Sequence, residues 1–131
     1  MVIVDTTVWV DYLVGTQTPQ ADWLDAELGR QRLGLTDLTL CEVLQGVRND
    51  RRFEDVRREL MKCEVFTTGG AKLAIAAARN YRTLRGRGRT VRRTLDCLIA
   101  TFCLTHGHSL LHTDRDFDAF EQVLGLQVVH P

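Results

Sequence analysis

Four acidic residues, Asp5, Glu42, Asp96 and Asp114, are the side chains of this chain best suited to chemistry. Two carboxylates about 4 Å apart repel each other by roughly 4 kcal/mol at an effective dielectric constant near 20. Such a cluster raises its own pKa values, whereas a divalent cation removes the conflict, and oxygen ligands suit Mg²⁺ or Mn²⁺. These ions lower the pKa of bound water and hold phosphate oxygens for in-line attack. Convergence of the four acids would therefore indicate phosphodiester hydrolysis.

Two of the acids follow predicted strands. Val2–Val4 is a continuous β-branched run, typical of a strand buried on both faces, and Asp5 follows it directly. A second strand is predicted at Ser109–Leu111, a few residues before Asp114. Binding sites in open α/β sheets lie at the carboxyl ends of strands. We therefore expect Asp5 and Asp114 to face one crevice.

The other two acids are expected in the first turns of helices that pack on this sheet. The segment Thr39–Glu42 matches the capping-box pattern, and helical apolar spacing follows it. Thr94 is the predicted cap of a strongly apolar helix that carries Asp96 and that Gly107 ends. All four acids could then converge from distant parts of the chain.

Each acid also has a purely structural explanation. Glu42 would merely close the capping box, and Asp96 would be favoured by the helix macrodipole. Asp114 would be an ordinary N-cap. Asp5 could cap the helix that follows its strand, although the two threonines after it already offer caps. Taken singly, the first three are more readily explained as structural than as catalytic residues.

Strands and helices alternate along the chain. Further strands are predicted at Leu33–Leu35, Val65–Phe66 and Gln127–Val129, with helical apolar spacing in the segments between them. This alternation predicts an α/β sandwich with a mostly parallel central sheet flanked by helices. A length of 131 residues suits one compact domain.

The charge of the chain is balanced but unevenly distributed. Seventeen basic residues match seventeen acidic ones, so the net charge indicates no partner. Seven arginines nevertheless fall between Arg79 and Arg93. Such a segment can attract a phosphate backbone locally. From charge alone, however, a solvated helix face and loop is the preferred explanation.

Several classes of protein are disfavoured by composition. No apolar run approaches the roughly 20 residues that cross a bilayer, and the opening apolar run is too short for a signal peptide. We therefore expect a cytoplasmic protein without membrane association. The cysteines form no Cys-x-x-Cys pair and lie in apolar stretches, which predicts buried free thiols and argues against a zinc framework.

The order of the acids and the residues around them resemble the PIN-domain family. Val2–Leu13 resembles the opening of that domain, Thr90–Ala100 resembles the segment around its third acid, and Leu110–Phe117 resembles the segment around its fourth. Glu42, within Leu40–Gly46, lies where the second acid belongs. The ordered set spans nearly the whole chain. Within the family, the short length and the arginine-containing run before the third acid resemble the VapC toxins.

This resemblance implies a three-layer sandwich in which residues 1–131 form a single PIN domain. It implies a Mg²⁺- or Mn²⁺-dependent endoribonuclease of a prokaryotic toxin–antitoxin module that inhibits translation. Implied partners are the RNA substrate, a cognate VapB-type antitoxin that blocks the acid site and binds operator DNA, and a second copy in a homodimer. Asp5, Glu42, Asp96 and Asp114 would be catalytic residues and metal ligands, with Asp116 as an alternative or additional ligand beside Asp114.

A second group of residues is assigned to substrate binding from position alone. Arg92 and Arg93 precede the third acid and could meet RNA phosphates, and Arg115 lies between two candidate ligands. Thr6 and Thr113 each adjoin an acidic segment and could hydrogen-bond an acid or a phosphate, although Thr6 is equally suited to cap a helix.

Two other functions compete with the nuclease. An aspartyl-phosphate phosphatase also opens with a strand ending in Asp, but it needs a second acid at the position that Thr7 occupies. The other alternative is a catalytically weak PIN-like module that binds RNA or protein. The presence of all four acids argues against that module.

Overall fold

The computed structural model describes residues 1–131 and is built on a fully parallel, five-stranded sheet. The strands are β1 (Val2–Val4), β2 (Leu33–Thr36), β3 (Glu64–Phe66), β4 (Ser109–Leu111) and β5 (Gln127–Val128). Their order across the sheet is β3-β2-β1-β4-β5, and every neighbouring pair is parallel. The predicted strands are confirmed, with shifts of one residue at some ends.

Seven α-helices connect and cover the strands. They are α1 (Thr6–Val14), α2 (Pro19–Glu27), α3 (Asp37–Gln45), α4 (Asp50–Leu60), α5 (Ala71–Gly86), α6 (Thr94–His106) and α7 (Asp118–Leu124). A single 3₁₀ turn, Arg115–Phe117, precedes α7. None of the helices combines the length and the apolar character that crossing a bilayer would need.

Two apolar clusters show that the sheet is buried on both faces. Side chains alternate along a strand, so Ile3 and Leu110 pack into one cluster while Val4 and Leu111 pack into the other. The first cluster contains the apolar face of α6, and the second contains the fully buried Trp9 of α1. Helices therefore lie on both faces of the sheet, and the predicted three-layer α/β sandwich is confirmed.

The order of the strands places a crevice at the carboxyl end of β1. The chain builds β1, β2 and β3 outward on one side and then crosses to form β4 and β5 on the other side. In such sheets the switch point between the two halves is where ligands bind. Val4 pairs with Leu111, and the Asp5 amide donates a 2.9 Å hydrogen bond to the Leu111 carbonyl. Asp5 and the segment after β4 thus lie at the same edge.

Two helix starts, those of α3 and α6, differ from the prediction, and at α1 one of the alternative caps is selected. Helix α3 begins at Asp37, and Thr36 Oγ1 accepts a 3.1 Å hydrogen bond from the Thr39 amide, so the capping box at Thr39–Glu42 is wrong and Glu42 lies beyond the first turn. Asp5, not either threonine after it, caps α1. Thr94 is the first residue of α6 and provides no cap, since Arg93 holds the capping position without a side-chain hydrogen bond. Each difference arises because the preceding strand or loop sets the first helical residue.

The cysteines are all free, but they are not uniformly buried. Cys97 and Cys103 are buried, as predicted, whereas Cys63 is partly buried and Cys41 is exposed on α3. The prediction of a buried Cys41 is therefore wrong. The apolar spacing around Cys41 belongs to its helical neighbours, of which Val43 is buried.

Gly34, in the middle of β2, is predicted to tolerate no side chain. A Cβ there would lie 2.7 Å from Cε2 of Phe66 and 2.9 Å from Cδ1 of Ile3, closer than real Cβ contacts. Gly34→Ala should therefore lower the free energy of unfolding by about 1–3 kcal/mol, measured by urea denaturation. Gly86→Ala is the matched control because a Cβ there meets nothing within 4 Å. A Gly34→Ala protein as stable as the control would contradict the close packing of β1, β2 and β3.

Candidate active site

Asp5 joins the end of β1 to the start of α1. It is 2% exposed, and its Oδ2 accepts a 3.1 Å hydrogen bond from the Thr7 amide and a 2.7 Å bond from the Thr7 hydroxyl. Burial raises the pKa of Asp5; the Thr7 hydrogen bonds oppose this, and the negative charge of Glu42 adds to it. The structural alternative for Asp5 is therefore correct, but the same carboxylate also faces other acids.

Asp96 is the most conspicuous acid of the site. It lies in the first turn of α6, as predicted, and is 3% exposed. Its Oδ2 is buried without any hydrogen-bond partner. Burial, together with the negative charges of Asp5, Asp114 and Glu42, raises the pKa of Asp96 to about 7 against the opposing effect of Arg93. A buried, unpartnered carboxylate oxygen normally costs free energy, so this oxygen is available for a ligand.

Asp114 and Asp116 approach Asp96 from the segment after β4. Asp114 caps the 3₁₀ turn through a 2.9 Å hydrogen bond from the Asp116 amide to its Oδ1. One carboxylate oxygen from each of these three aspartates lies within 4.8 Å of the others. Two oxygens on opposite sides of one cation at 2.0–2.6 Å would be about 4–5 Å apart, so the three acids fit around a single divalent ion. Neither Asp114 nor Asp116 is excluded as a ligand by this geometry.

Glu42 reaches the same region from α3. Its Oε1 accepts a 2.8 Å hydrogen bond from the Thr6 hydroxyl, and its Oε2 forms an ion pair with Arg93. Glu42, Asp5 and Asp96 line one pocket of about 280 Å³. Asp96 therefore belongs to two groups of acids, one in this pocket and one with the 3₁₀ turn. The four sequence-predicted acids do converge, although Asp114 is not among the residues that line the pocket itself.

The five residues assigned to substrate binding have different surroundings. Arg92 binds both carboxylate oxygens of Asp116 at 3.2–3.3 Å, and Arg93 pairs with Glu42. Arg115 is exposed and forms no ion pair. Thr6, Arg93 and Thr113 line the carboxylate pocket. Thus Arg92 and Arg93 form ion pairs with acids of the site, whereas Arg115 does not.

Two residues of the site were not assigned from the sequence. Asp11 lines the carboxylate pocket, and its spacing of four from Thr7 on α1 placed both on one helix face. His112 is buried against Phe117, with ring centroids 4.8 Å apart, and its Nδ1 accepts a 3.1 Å hydrogen bond from the Asp114 amide. Burial lowers the pKa of His112, which favours the neutral ring that this hydrogen bond requires. The only signal for His112 in the sequence is its closeness to Asp114, which is equally compatible with a purely structural role in the strand or loop.

The donor set suits a hard divalent cation. It consists of carboxylate oxygens, one of them buried and unpartnered, and burial together with repulsion from the other acids raises the pKa of Asp96. Oxygen-only sites of this kind favour Mg²⁺ or Mn²⁺ over Zn²⁺, which prefers nitrogen and sulfur. The arrangement could hold a cation and present it to a phosphate at the mouth of the pocket.

The raised pKa of Asp96 generates a pH prediction for protein kept in EDTA. The folded chain holds the Asp96 proton up to about pH 7, whereas the unfolded chain releases it near its ordinary value of 3.8. The folded state therefore binds more protons over this interval, and its free energy of unfolding falls as the pH rises. Between pH 5 and pH 8, urea denaturation should show wild type losing on the order of 2 kcal/mol relative to Asp96→Asn.

Asp25→Asn, which changes an exposed aspartate of α2, is the control for this measurement. It should keep the pH dependence of the wild type. Equal pH dependence in wild type and Asp96→Asn would show that Asp96 is already ionised at pH 5.

Comparison with known proteins identifies the family. The sequence model of the PIN domain matches residues 2–123. A VapC ribonuclease of Mycobacterium bovis and the ribonuclease VapC11 of Mycobacterium tuberculosis are each 31% identical to this chain over 129 residues, which is 97% of this chain and 96% of the relative.

Solved structures agree on the fold. VapBC2 of Rickettsia felis, bound to a DNA fragment from its promoter, superposes with a TM-score of 0.75 at 15% identity and covers 98% of both chains. VapBC-5 of Mycobacterium tuberculosis gives a TM-score of 0.70 at 20% identity, covering 98% of this chain and 97% of the other. The chain therefore belongs to the PIN-domain family, within which it is similar along nearly its whole length to the VapC ribonucleases.

Proposed function

We propose that this chain is a Mg²⁺- or Mn²⁺-dependent endoribonuclease, the toxin of a type II toxin–antitoxin system, which inhibits translation by cleaving RNA. The observation that carries the proposal is the buried, unpartnered Oδ2 of Asp96 among three further acids. The likeness to VapC ribonucleases supports RNA as the substrate. Because it would cleave RNA that ribosomes are using, the protein would act in the cytoplasm. Residues 1–131 would function as one PIN domain.

The acids of the site would divide the work of hydrolysis. Asp96, Asp114 and Asp116 would hold the first cation, because an oxygen from each lies within 4.8 Å of the others. A bound divalent cation supplies a water of lowered pKa and a charge that neutralises the phosphate oxygens. Asp5 and Glu42, which line the carboxylate pocket together with Asp96, would complete the ligand set and orient the attacking water by hydrogen bonds. His112 keeps Asp114 in place by accepting its amide hydrogen bond.

The basic and hydroxyl groups around the pocket would bind the substrate. Arg93 and Thr113 line the pocket beside the acids, and Thr6 orients Glu42 through its hydroxyl hydrogen bond. Arg92 is exposed next to Asp116, so its guanidinium can also reach a phosphate. Arg115 forms no ion pair and would contact the RNA strand farther from the pocket.

The proposed partners follow from the relatives. Solved structures similar to this fold are VapBC complexes, and one of them holds promoter DNA. We therefore propose a VapB-type antitoxin that covers the acid site and carries the contacts to operator DNA, with this chain assembling as a homodimer.

Cleavage assays with substituted acids test the proposal. Purified chain, free of any partner, should cut total cellular RNA with Mg²⁺ or Mn²⁺ and should stop when EDTA is in excess. Asp96→Asn and Asp5→Asn should each lower the rate at least roughly 100-fold, since altering even outer-shell partners of a metal costs 10–100-fold. The Asp25→Asn protein, which is changed at an exposed aspartate away from the pocket, should cleave RNA like the wild type.

Cleavage that survives EDTA and both substitutions would contradict the carboxylate mechanism. Absence of cleavage by folded protein that binds Mn²⁺ would favour the catalytically weak PIN-like binding module instead.

The ion pair between Arg92 and Asp116 leads to a prediction about metal affinity. Arg92 engages both oxygens of a proposed ligand, so it competes with a cation for Asp116. Arg92→Gln should therefore bind Mn²⁺ several-fold more tightly, whereas Asp116→Asn should bind it more weakly, as measured by titration calorimetry. Arg87→Gln removes an exposed arginine of the same segment that forms no ion pair and is the matched control. Weaker binding by Arg92→Gln would show that Arg92 positions Asp116 instead of competing for it.

A further inference from the structure

The segment that precedes Asp96 contains basic residues and no acidic ones. Between Glu64 and Asp96 the sequence contains no acidic residue, but it contains Lys72 and seven arginines. Most of this segment forms α5, which packs against α6. The local excess of positive charge is therefore concentrated on one helix and the turn that follows it.

Three arginines of α5 are exposed and unpaired. Arg79, Arg82 and Arg85, here called the arginine ridge, line one surface depression together with Thr83 and Gly86. None of the three forms an ion pair, whereas Arg92 and Arg93 both bind acids of the site. The only aromatic contact of the ridge is that of Arg85, whose guanidinium carbon lies 5.6 Å from the Tyr81 ring centroid. The positive charge of the ridge is thus left for a partner.

A series of neighbouring depressions leads from the arginine ridge to the carboxylate pocket. Arg82 and Arg85 also line the groove between α5 and α6, whose opposite wall includes Thr94. Thr94 in turn shares a further depression with Arg93 and Glu42. Arg93 and Glu42 then line the carboxylate pocket itself. Each depression shares residues with the next, so the ridge and the pocket lie along one stretch of surface.

The charges along this path suit a polyanion whose cleaved bond lies at the acidic end of the path. The carboxylate pocket repels phosphates except where a cation is bound, so it contributes little attraction for the rest of a nucleic acid strand. Unpaired arginines bind phosphates through charge-assisted, often bidentate hydrogen bonds. The half-buried Tyr81 in the groove offers a ring face on which a base can stack.

We propose that the groove between α5 and α6 binds a single-stranded flank of the RNA substrate, with its phosphates on the arginine ridge. This inference rests on the proposed function, because it assumes that the carboxylate pocket cleaves the same strand. The ridge then sets how tightly and over what length RNA is bound, while the acids set the rate of cleavage.

Binding measurements in EDTA separate this inference from the nuclease proposal. A fluorescently labelled single-stranded RNA is titrated with wild type and with Arg82→Gln/Arg85→Gln at several salt concentrations. The double variant should lose about tenfold in affinity, and its salt slope should fall by about 1.4, since each phosphate contact to a single strand contributes roughly 0.7. Arg82→Lys/Arg85→Lys keeps the charge and should retain most of the affinity.

Arg30→Gln/Arg48→Gln is the matched control because it removes two exposed cations that neither form ion pairs nor line the groove. It should bind RNA like the wild type. With Mg²⁺ added, the Arg82→Gln/Arg85→Gln protein should show a raised KM for long RNA and an unchanged kcat.

The outcomes decide the inference independently of catalysis. Loss of affinity confined to the ridge variant supports it, even if no cleavage is found. Equal Kd, salt slope and KM for the ridge variant and wild type overturn it, even if the chain is an active nuclease. Light scattering of the Arg82→Gln/Arg85→Gln protein gives a further test. A changed molecular mass with unchanged RNA affinity would show that a second copy of the chain covers the groove, and would also overturn the inference.

Discussion

The carboxylates at the carboxyl edge of the sheet repel one another, and the groups around them compensate for this repulsion. The acids cannot separate, because Asp5 is fixed by the end of β1, Asp96 by the buried first turn of α6, and Asp114 by its cap and by His112. Two compensations are visible within the chain. Arg92 and Arg93 neutralise the outer acids, and the pKa of the buried Asp96 rises to about 7.

The parallel sheet makes this concentration of charge possible. Strands β1 and β4 lie at the centre, with apolar side chains packed on both faces, so their carboxyl ends are rigid. Rigidity holds acids from distant segments at this one edge, with carboxylate oxygens of Asp96, Asp114 and Asp116 within 4.8 Å of one another. The arginines, in contrast, lie on an exposed segment, where side chains can exchange one anionic partner for another. The site therefore combines fixed negative groups with adaptable positive ones.

Much of this arrangement was predictable, and the failures have physical causes. Apolar periodicity identified the strands and helices because burial on the sheet imposes it, and the acids were found because they follow those elements. The predicted caps of α3 and α6 were wrong, and that of α1 was open between Asp5 and two threonines, because several Thr and Asp residues compete locally and only the tertiary path of the preceding segment selects one. The pairings of Arg92 with Asp116 and of Arg93 with Glu42 join residues that are far apart in the sequence, and no local pattern encodes their proximity.

The absence of a structural partner for Asp96 Oδ2 has an evolutionary consequence. Asp5 both caps a helix and faces the site, so its loss harms folding together with chemistry. Asp96 makes no such contribution through Oδ2, and residues selected for activity are often those that strain the native state. Mutations that abolish the proposed cleavage would thus be tolerated more easily at Asp96 than at Asp5. Proteins changed at Asp96 would remain folded without cleaving RNA, whereas proteins changed at Asp5 would also lose stability.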